Sequence, residues 1–185
     1  MRLIMLDTET TGVSAKNGDR MVEIGAVELC PHDLSVKSTF HKYINPDRPI
    51  PLRVVDIHGI DDERVKDEPK FNSVAQDFLD YIAGGTLVIH NARFDLGFIS
   101  HELALSDMTG IHDTPVIDTL EVARFLFPKQ KNSLDALCDR FEIERGHRVL
   151  HGALLDSELL AEVYIGLTKH HPGDLPVKTV RDYIS

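Results

Sequence analysis

The chain contains the stretch Leu3-Ile4-Met5-Leu6-Asp7-Thr8-Glu9-Thr10-Thr11-Gly12, in which a short apolar run ends in two acids one residue apart. The run predicts a buried strand, and successive side chains of a strand point to opposite faces. Asp7 and Glu9 therefore share a face, and Thr8 points away from it. Two carboxylates about 6 to 7 Å apart along a strand repel each other unless a cation lies between them. The stretch is a candidate metal site, although a solvated strand end can carry the same acids.

A third acid lies on an apolar helix face. The pattern from Ala92 to Leu105 predicts a helix in which Asp95 shares a face with Phe98 and Ile99. The helix dipole also favours an acid in the first turn, so Asp95 has a structural explanation as well as a functional one.

A fourth acid, Asp156, begins the apolar stripe of the last predicted helix, which runs roughly from Gly152 to Lys169. That stripe consists of Leu159, Leu160, Val163 and Leu167. Burying an unpaired carboxylate costs on the order of several kcal/mol, so we expect Asp156 to have a cation. His151 precedes it by five residues and would reach the same site from the lead-in loop.

Four acids converging from one strand and two helices would form an oxygen-rich site suited to two divalent ions, Mg²⁺ or Mn²⁺, with His151 left free. Such a site performs two-metal phosphodiester chemistry, in which a histidine with an ordinary pKa of about 6.5 takes the proton of the attacking water.

The order of the predicted elements indicates one α/β domain. The first strand, Met21 to Leu29 and Val36 to Ile44 form an antiparallel meander, and strands at Thr86 to His90 and Pro115 to Asp118 then alternate with helices. We expect an α/β sandwich whose mixed five-stranded sheet, antiparallel first and then parallel, is flanked by helices. The domain is predicted to span residues 1–170, followed by a C-terminal tail, 171–185, that contains two prolines.

Local signals set the predicted helix ends. A capping box is predicted at Ser73 to Gln76, Asn91 is a candidate N-cap, and the segment from Leu52 to Ile60 is left unassigned. The remaining predicted helices are Thr119 to Phe127 and Ser133 to Phe141.

Composition limits the function. The net charge of −10 excludes a protein that holds duplex DNA through many phosphates, because such proteins are usually basic. An acidic protein can still act on a few nucleotides at a strand end if bound metals supply the positive charge. The chain has no apolar run long enough to span a bilayer and no signal-peptide pattern, so we expect a cytoplasmic protein that does not bind membranes.

Together, Asp7-x-Glu9, Asp95 and His151-x₄-Asp156 resemble the DEDDh family of 3′–5′ exonucleases, and within it the branch that proofreads for bacterial DNA polymerase III. The resemblance covers residues 1 to about 168 and extends to these runs: Leu6 to Gly12, Val22 to Glu28, Val88 to Asn91, Asn132 to Cys138 and Leu150 to Asp156. It implies an RNase H-like fold, a 3′–5′ exonuclease and two bound divalent metals.

The resemblance also assigns roles. Asp7 would bridge both metals, Glu9 and Asp156 would complete one of them, Asp95 would hold the other through water, and His151 would be the general base. The implied substrate contacts are Asp7, Glu9 and Asp156 themselves, the backbone of Thr10, Thr11 and Gly12, His58 near the terminal nucleotide, and Val13 and Phe94 against the bases. The family branch has an acid near His58 where this chain has Arg53, and that departure leaves the role of Arg53 open.

The implied partners are a single-stranded 3′ end of DNA, the polymerase (alpha) subunit of DNA polymerase III and a small theta-like subunit. The family's polymerase-anchoring segment and clamp-binding motif are not evident after Lys169. Three hypotheses stay open: the chain is only the catalytic domain, it attaches to the polymerase more weakly, or it works alone.

Two other functions stay open at this point. An RNA-trimming enzyme, of the oligoribonuclease or RNase T kind, would use the same catalytic residues, although no basic patch flanking the site is apparent in the sequence. A non-catalytic polymerase assembly subunit is the alternative from another class, and the intact acid set argues against it.

Overall fold

The central strand of the sheet is apolar on both faces because helices cover both. The computed structural model describes residues 2–30, 32–146 and 150–184. Leu6 and Ile4 of this strand face one hydrophobic core, and Leu3 and Met5 face another, as the alternation of a doubly buried strand requires.

The strands form a single mixed sheet. They are β1 (Arg2–Thr10), β2 (Met21–Leu29), β3 (Val36–Tyr43), β4 (Gly85–Ile89), β5 (Pro115–Asp118) and β6 (Lys178–Thr179). Their order across the sheet is β3-β2-β1-β4-β5-β6. β1, β2 and β3 pair antiparallel, β4 and β5 run parallel to β1, and β6 is antiparallel to β5.

Helices cover the two faces of the sheet. They are α1 (Leu52–His58), α2 (Asp62–Val65), α3 (Phe71–Ile82), α4 (Ala92–Leu105), α5 (Thr119–Leu126), α6 (Leu134–Arg140), α7 (Ala153–His170) and α8 (Arg181–Ile184). Side chains of α3, α4 and α8 build the first core, and side chains of α5, α6 and α7 build the second. In the described ranges, none of these helices is both long and apolar enough to cross a membrane.

The predicted α/β architecture is confirmed, with one addition at the sheet edge. The antiparallel pairing of β1, β2 and β3 and the parallel direction of β4 and β5 are as predicted, and β6 adds a two-residue strand from the segment predicted to be a tail. Val180 and Tyr183 of that segment are buried in the first core. Two residues are too few for a periodic pattern, so the sequence does not reveal this strand.

The structure decides three local points: one prediction is wrong, one unassigned segment forms a helix, and one predicted N-cap position is confirmed. The capping box at Ser73 is wrong, because α3 already begins at Phe71, whose ring is buried in the first core, and Ser73 lies inside the helix. The unassigned segment forms α1, which ends at Gly59 in the left-handed conformation. Asn91 does occupy the N-cap of α4, but its side chain does not cap the helix.

Candidate active site

The site lies where β1 ends. Asp7 is opposite Gly25 of β2 and Glu9 is opposite Glu23, and the register of the pair shifts between Glu9 and Thr10. By the alternation of β1, Asp7 and Glu9 lie on the same face as Leu3 and Met5, which is the face that α7 covers. The predicted common face of the two acids therefore points at the helix that carries Asp156.

Glu9, His151 and Asp156 converge at this face. Each offers one ligand atom, and these atoms lie within 4.8 Å of one another. His151 Nδ1 lies 3.0 Å from Asp156 Oδ2, and the His151 N–H donates to the Ile57 carbonyl oxygen at 3.0 Å. The end of α1 thus holds the loop residue His151 beside the first turn of α7.

The first turn of α7 is placed by β2. The N-cap of this helix is Gly152, which has no side chain, and the Glu23 carboxylate replaces it by accepting the Ala153 N–H at 2.9 Å. The Ser157 hydroxyl donates to the Gly25 carbonyl oxygen at 3.0 Å. Only glycine fits at position 25, because an added Cβ would lie 2.3 Å from the Leu154 nitrogen. The helix therefore sits directly on the strand, which fixes the position of Asp156.

Asp95 approaches β1 from the opposite side of the sheet. Its Oδ1 accepts the Thr8 N–H at 3.0 Å and the Thr8 hydroxyl at 2.7 Å. Thr8 points away from Asp7 and Glu9, as predicted, and it does so to hold Asp95. Since both hydrogen bonds use Oδ1, a metal would have to be held through Oδ2.

The acids of the cluster are buried close together, and this raises the pKa values of two of them. The pKa of Asp7 is raised well above its ordinary value, first by burial and then by the charges of Asp95, Glu9 and Asp156. Burial raises the pKa of Asp95 to about 7, although the Thr8 hydroxyl opposes that shift. Both carboxyls would be stabilised as anions by a nearby cation.

These residues fit a divalent-metal site. The acidic donors Asp7, Glu9, Asp95 and Asp156 are hard oxygen ligands of the kind that Mg²⁺ and Mn²⁺ take. Burial raises the pKa values of Asp7 and Asp95, and a bound divalent cation would lower them. His151 lies close enough to Glu9 and Asp156 to belong to the same donor group. Its assignment as a base rather than a ligand stays a prediction.

His58 is fixed as a neutral ring against the predicted substrate loop. Its Nδ1 accepts the Ile60 N–H at 3.0 Å, so Nε2 carries the proton and donates to the Thr10 carbonyl oxygen at 3.2 Å. Burial lowers the pKa of His58, which keeps this tautomer uncharged. The contact places His58 beside Thr10, and the substrate roles of both residues stay predictions.

The loop after β1 leaves one apolar side chain exposed. Gly12 packs so tightly on Asp19 that an added Cβ would lie 2.2 Å from its carboxylate. Val13 follows with 83% of its surface exposed, and it lines a cavity of about 350 Å³ together with Phe94. Thr11, between Thr10 and Gly12, is buried, and its hydroxyl accepts the Arg20 N–H. The two side chains predicted to contact bases, Val13 and Phe94, thus share one cavity.

Two acids that place the site were missed in the sequence. Glu23 caps α7 as described, and its other oxygen lies 2.7 Å from His41 Nε2. Asp118, at the end of β5, accepts backbone N–H groups from Asn91 and Ala92 at the start of α4, and from Leu120 at the start of α5. An acid inside the otherwise apolar run Val22–Val27 is a signal that could have identified Glu23.

Comparison with known proteins agrees with this geometry. The RNase T model of the exonuclease family matches residues 4–164. The DNA polymerase III subunit epsilon of Rickettsia typhi is 52% identical over 171 residues, which cover 91% of this chain and 74% of that protein.

Solved structures show the same fold. The structure of exonuclease X in complex with 5′ overhanging duplex DNA has a TM-score of 0.72 at 26% identity, and 99% of each chain is covered. The nuclease domain of 3′hExo, a DEDDh family member bound to rAMP, has a TM-score of 0.82 at 18% identity, with 96% of each chain covered. The chain belongs to the RNase T exonuclease family and, within it, to the DNA polymerase III epsilon subunits.

Proposed function

We propose that this protein is a divalent-metal-dependent 3′–5′ exonuclease that removes mispaired 3′-terminal nucleotides from DNA as the proofreading subunit of a DNA polymerase III. Water attacks the terminal phosphodiester, and the products are a nucleoside 5′-monophosphate and a strand shortened by one nucleotide with a new 3′-hydroxyl. The observation that carries the proposal is the convergence of Glu9, His151 and Asp156 beside Asp7 at the end of β1.

The four acids of the site would hold the metal ions. Asp7, Glu9, Asp95 and Asp156 would hold two divalent cations, which when bound supply the positive charge that stabilises the transferring phosphoryl group and lowers the pKa of water. The Thr8 hydrogen bonds keep Asp95 in place, and the β2 contacts do the same for Asp156.

His151 acts as the general base. If the proton of its ring is on Nδ1 and is donated to Asp156, then Nε2 is the basic nitrogen that takes the proton of the attacking water. Asp156 would orient the ring for this step, since a carboxylate that accepts one ring N–H fixes the tautomer.

The partners follow from the relatives. Identity to subunits named DNA polymerase III subunit epsilon supports association with the polymerase (alpha) subunit and a small theta-like subunit, and a single-stranded 3′ end of DNA as substrate. The same identities favour DNA proofreading over RNA trimming, because at 18% identity the resemblance to the rAMP-bound nuclease supports the fold alone.

A hydrolysis assay tests the proposal. We expect rapid release of mononucleotides, in Mg²⁺ or Mn²⁺, from single-stranded DNA and from a mismatched primer, and slower release from a paired primer or an RNA oligomer. Asp7→Ala and Asp156→Ala should abolish release, whereas Asp77→Ala, an exposed acid on α3, should leave it unchanged. Faster cleavage of RNA than of DNA would overturn the proofreading role, and full activity in Asp7→Ala would overturn the site.

A further inference from the structure

Two cavities meet at the carboxyl ends of the parallel strands. Asn91, which follows β4, lines both of them. One is the cavity of about 350 Å³ that contains Val13 and Phe94, and the other, of about 670 Å³, extends along the segment after α5. Ligands of open α/β sheets bind at this end of the strands, so the position is that of a substrate path.

The charge of these cavities is opposite to that of the molecule. The whole chain carries 30 acids and 20 lysines and arginines. The side chains lining the two cavities nevertheless include Lys16, Arg93, Arg124 and Lys129 and no aspartate or glutamate among the described residues. Lys16, Arg93 and the pair Arg124 and Lys129 belong to three separate segments of the sequence, and the fold brings them to these cavities.

Two other cavities of the described residues are not lined by lysine or arginine. One near the amino end of β4 includes Asp113, and one beneath the end of α4 includes Asp107; within the described ranges neither is lined by lysine or arginine. Among these four cavities, lysine and arginine line the two that share Asn91.

The loop that carries Lys129 is held in shape. The Asn132 side-chain amide donates to the carbonyl oxygens of Phe127 and Gln130 at 3.1 and 3.2 Å, and Arg140 donates to the Asn132 Oδ1 at 3.0 Å. Arg140 also lies over the Phe127 ring, 4.3 Å from its centroid. Lys129 thus lies in a turn that the hydrogen bonds of Asn132 stabilise.

The wall of the larger cavity beside Asn91 is neutral. His90 Nδ1 lies 3.0 Å from the Thr119 hydroxyl, and burial lowers the pKa of His90 to about 4. The positive charge of the cavity therefore comes from Arg124 and Lys129.

We infer that the two cavities form one groove for the single-stranded backbone of the substrate, with Arg124 and Lys129 binding phosphates beyond the terminal nucleotide. Single-strand binding sites combine a cationic groove with aromatic or apolar side chains against the bases, and Phe94 and Val13 supply the latter here. The inference rests on the proposed function, since it places the 3′ end at the acid cluster. It gives an acidic protein a local means of holding a polyanion.

Substrates of different length test the groove and the catalytic centre separately. The test compares the double variant Arg124→Ala/Lys129→Ala with wild type on two substrates. They are the 5′-(p-nitrophenyl) ester of thymidine monophosphate and an oligothymidylate of about twelve nucleotides. Hydrolysis of the ester should be unchanged, because it reaches only the centre. For the oligomer we expect KM to rise roughly tenfold with kcat retained. The negative slope of log(kcat/KM) against log[salt] should become shallower by about 1.4, as expected for two lost phosphate contacts on a single strand.

Two controls make the result specific. Lys37→Ala/Lys42→Ala removes the same charge from β3, at the other end of the sheet from β5, and should behave as wild type. Anisotropy of a fluorescein-labelled oligothymidylate in chelator measures strand binding without hydrolysis, and Arg124→Ala/Lys129→Ala should weaken it.

The possible failures are distinguishable. If wild type hydrolyses both substrates but the groove variant matches it on the oligomer, the groove does not bind the strand. Equal losses on the ester and the oligomer would assign Arg124 and Lys129 to the centre itself and also overturn the inference. If wild type hydrolyses neither substrate, the proposed function fails, and the anisotropy comparison then decides the groove alone: weaker binding by the variant supports it, and equal binding overturns it.

Discussion

At the scale of the residue, ionising the acid cluster lowers the stability of the protein when no cation is bound. The pKa of Asp7 is raised by burial and by four neighbouring carboxylates, and the pKa of Asp95 is raised to about 7. The metal-free folded protein therefore retains protons that the unfolded chain loses near pH 4. Their contribution to stability is fully present below that pH and is lost as pH rises through about 7.

Removing one of these charges should stabilise the metal-free protein at high pH. In chelator, we expect the Tm of wild type to fall between pH 5.5 and pH 8, and the fall to be smaller for Asp95→Asn, whose amide oxygen can still accept both Thr8 hydrogen bonds. The difference at pH 8 should be about 2–4 °C for each kcal/mol gained. Thermal unfolding followed by circular dichroism measures it, with Asp77→Asn as the exposed control. Parallel pH profiles for all three proteins would contradict the assignment.

His151 provides the second prediction at this scale. His151→Ala should lower kcat by roughly 10²-fold or more with little change in KM, because a positioned base acts on the chemical step. It should also flatten the fall of the rate at acid pH, since an imidazolium cannot accept a proton and only protonation of the carboxylates should then lower the rate. Initial rates across pH test this, and His112→Ala, which alters an exposed ring elsewhere, should keep the wild-type profile. A variant whose pH profile matched that of wild type would remove His151 from the mechanism.

At the scale of the element, the position of α7 depends on β2. The helix has no capping side chain of its own, and Glu23 supplies the missing acceptor from a neighbouring strand. Glu23 also lies opposite Glu9, a pairing of like charges that would be unfavourable alone. The α7 N-terminus and the His41 ring both compensate the Glu23 carboxylate.

Glu23→Ala should therefore disturb the metal site as well as the fold. Loss of the cap should cost about 1–2 kcal/mol in the free energy of unfolding, and the displaced first turn of α7 should weaken Mn²⁺ binding. Glu23→Gln, which keeps one carbonyl oxygen for the Ala153 N–H, should restore most of both. Denaturant unfolding and calorimetric Mn²⁺ titration measure the two effects.

The control for this prediction lies on the same strand. Glu28 is also buried but pairs with Arg2, at the other end of β2 from the strand residues that hold the first turn of α7. Glu28→Ala should lower stability and leave Mn²⁺ affinity unchanged. Equal losses of Mn²⁺ affinity in the Glu23 and Glu28 variants would show that general destabilisation, rather than the cap, accounts for the effect.

At the scale of the whole molecule, the segment from residue 171 to residue 184 closes one edge of the structure. β6 pairs with β5, and Val180 and Tyr183 insert between the sheet and α4. The Val180 and Arg181 N–H groups donate to the Thr114 and His112 carbonyl oxygens. Backbone pairing and apolar burial together attach this segment to the first core.

Two valines of this segment give a matched test. Val180→Ala should cost about 2 kcal/mol, because Val180 is fully buried, and should lower Tm by about 4–8 °C. Val177→Ala, at a position that is half exposed, should stay within about 0.5 kcal/mol of wild type. Thermal unfolding of both variants measures the contrast. A segment that behaved as a loose tail would show no difference between them.

The local patterns predicted most of the elements and the key acids. Alternation along β1 put Asp7 and Glu9 on one face, and the stripe of α7 put Asp156 among its apolar residues; both are observed. The order of strands and helices predicted a mixed sheet that is antiparallel first and then parallel, and the structure supplied the order of the strands across it. Boundaries were less accurate, as at Ser73, where burial of Phe71 extended α3.

The sequence by itself determined the elements, their buried faces and the set of acids, because those depend on the period of side chains along one segment. Only the tertiary structure decided which groups meet: Asp95 with Thr8, 87 residues away, Glu23 with the start of α7, 130 residues away, and four cations around two cavities that share Asn91. Such contacts form when distant segments pack on the sheet. No local period encodes them, so they required the folded chain.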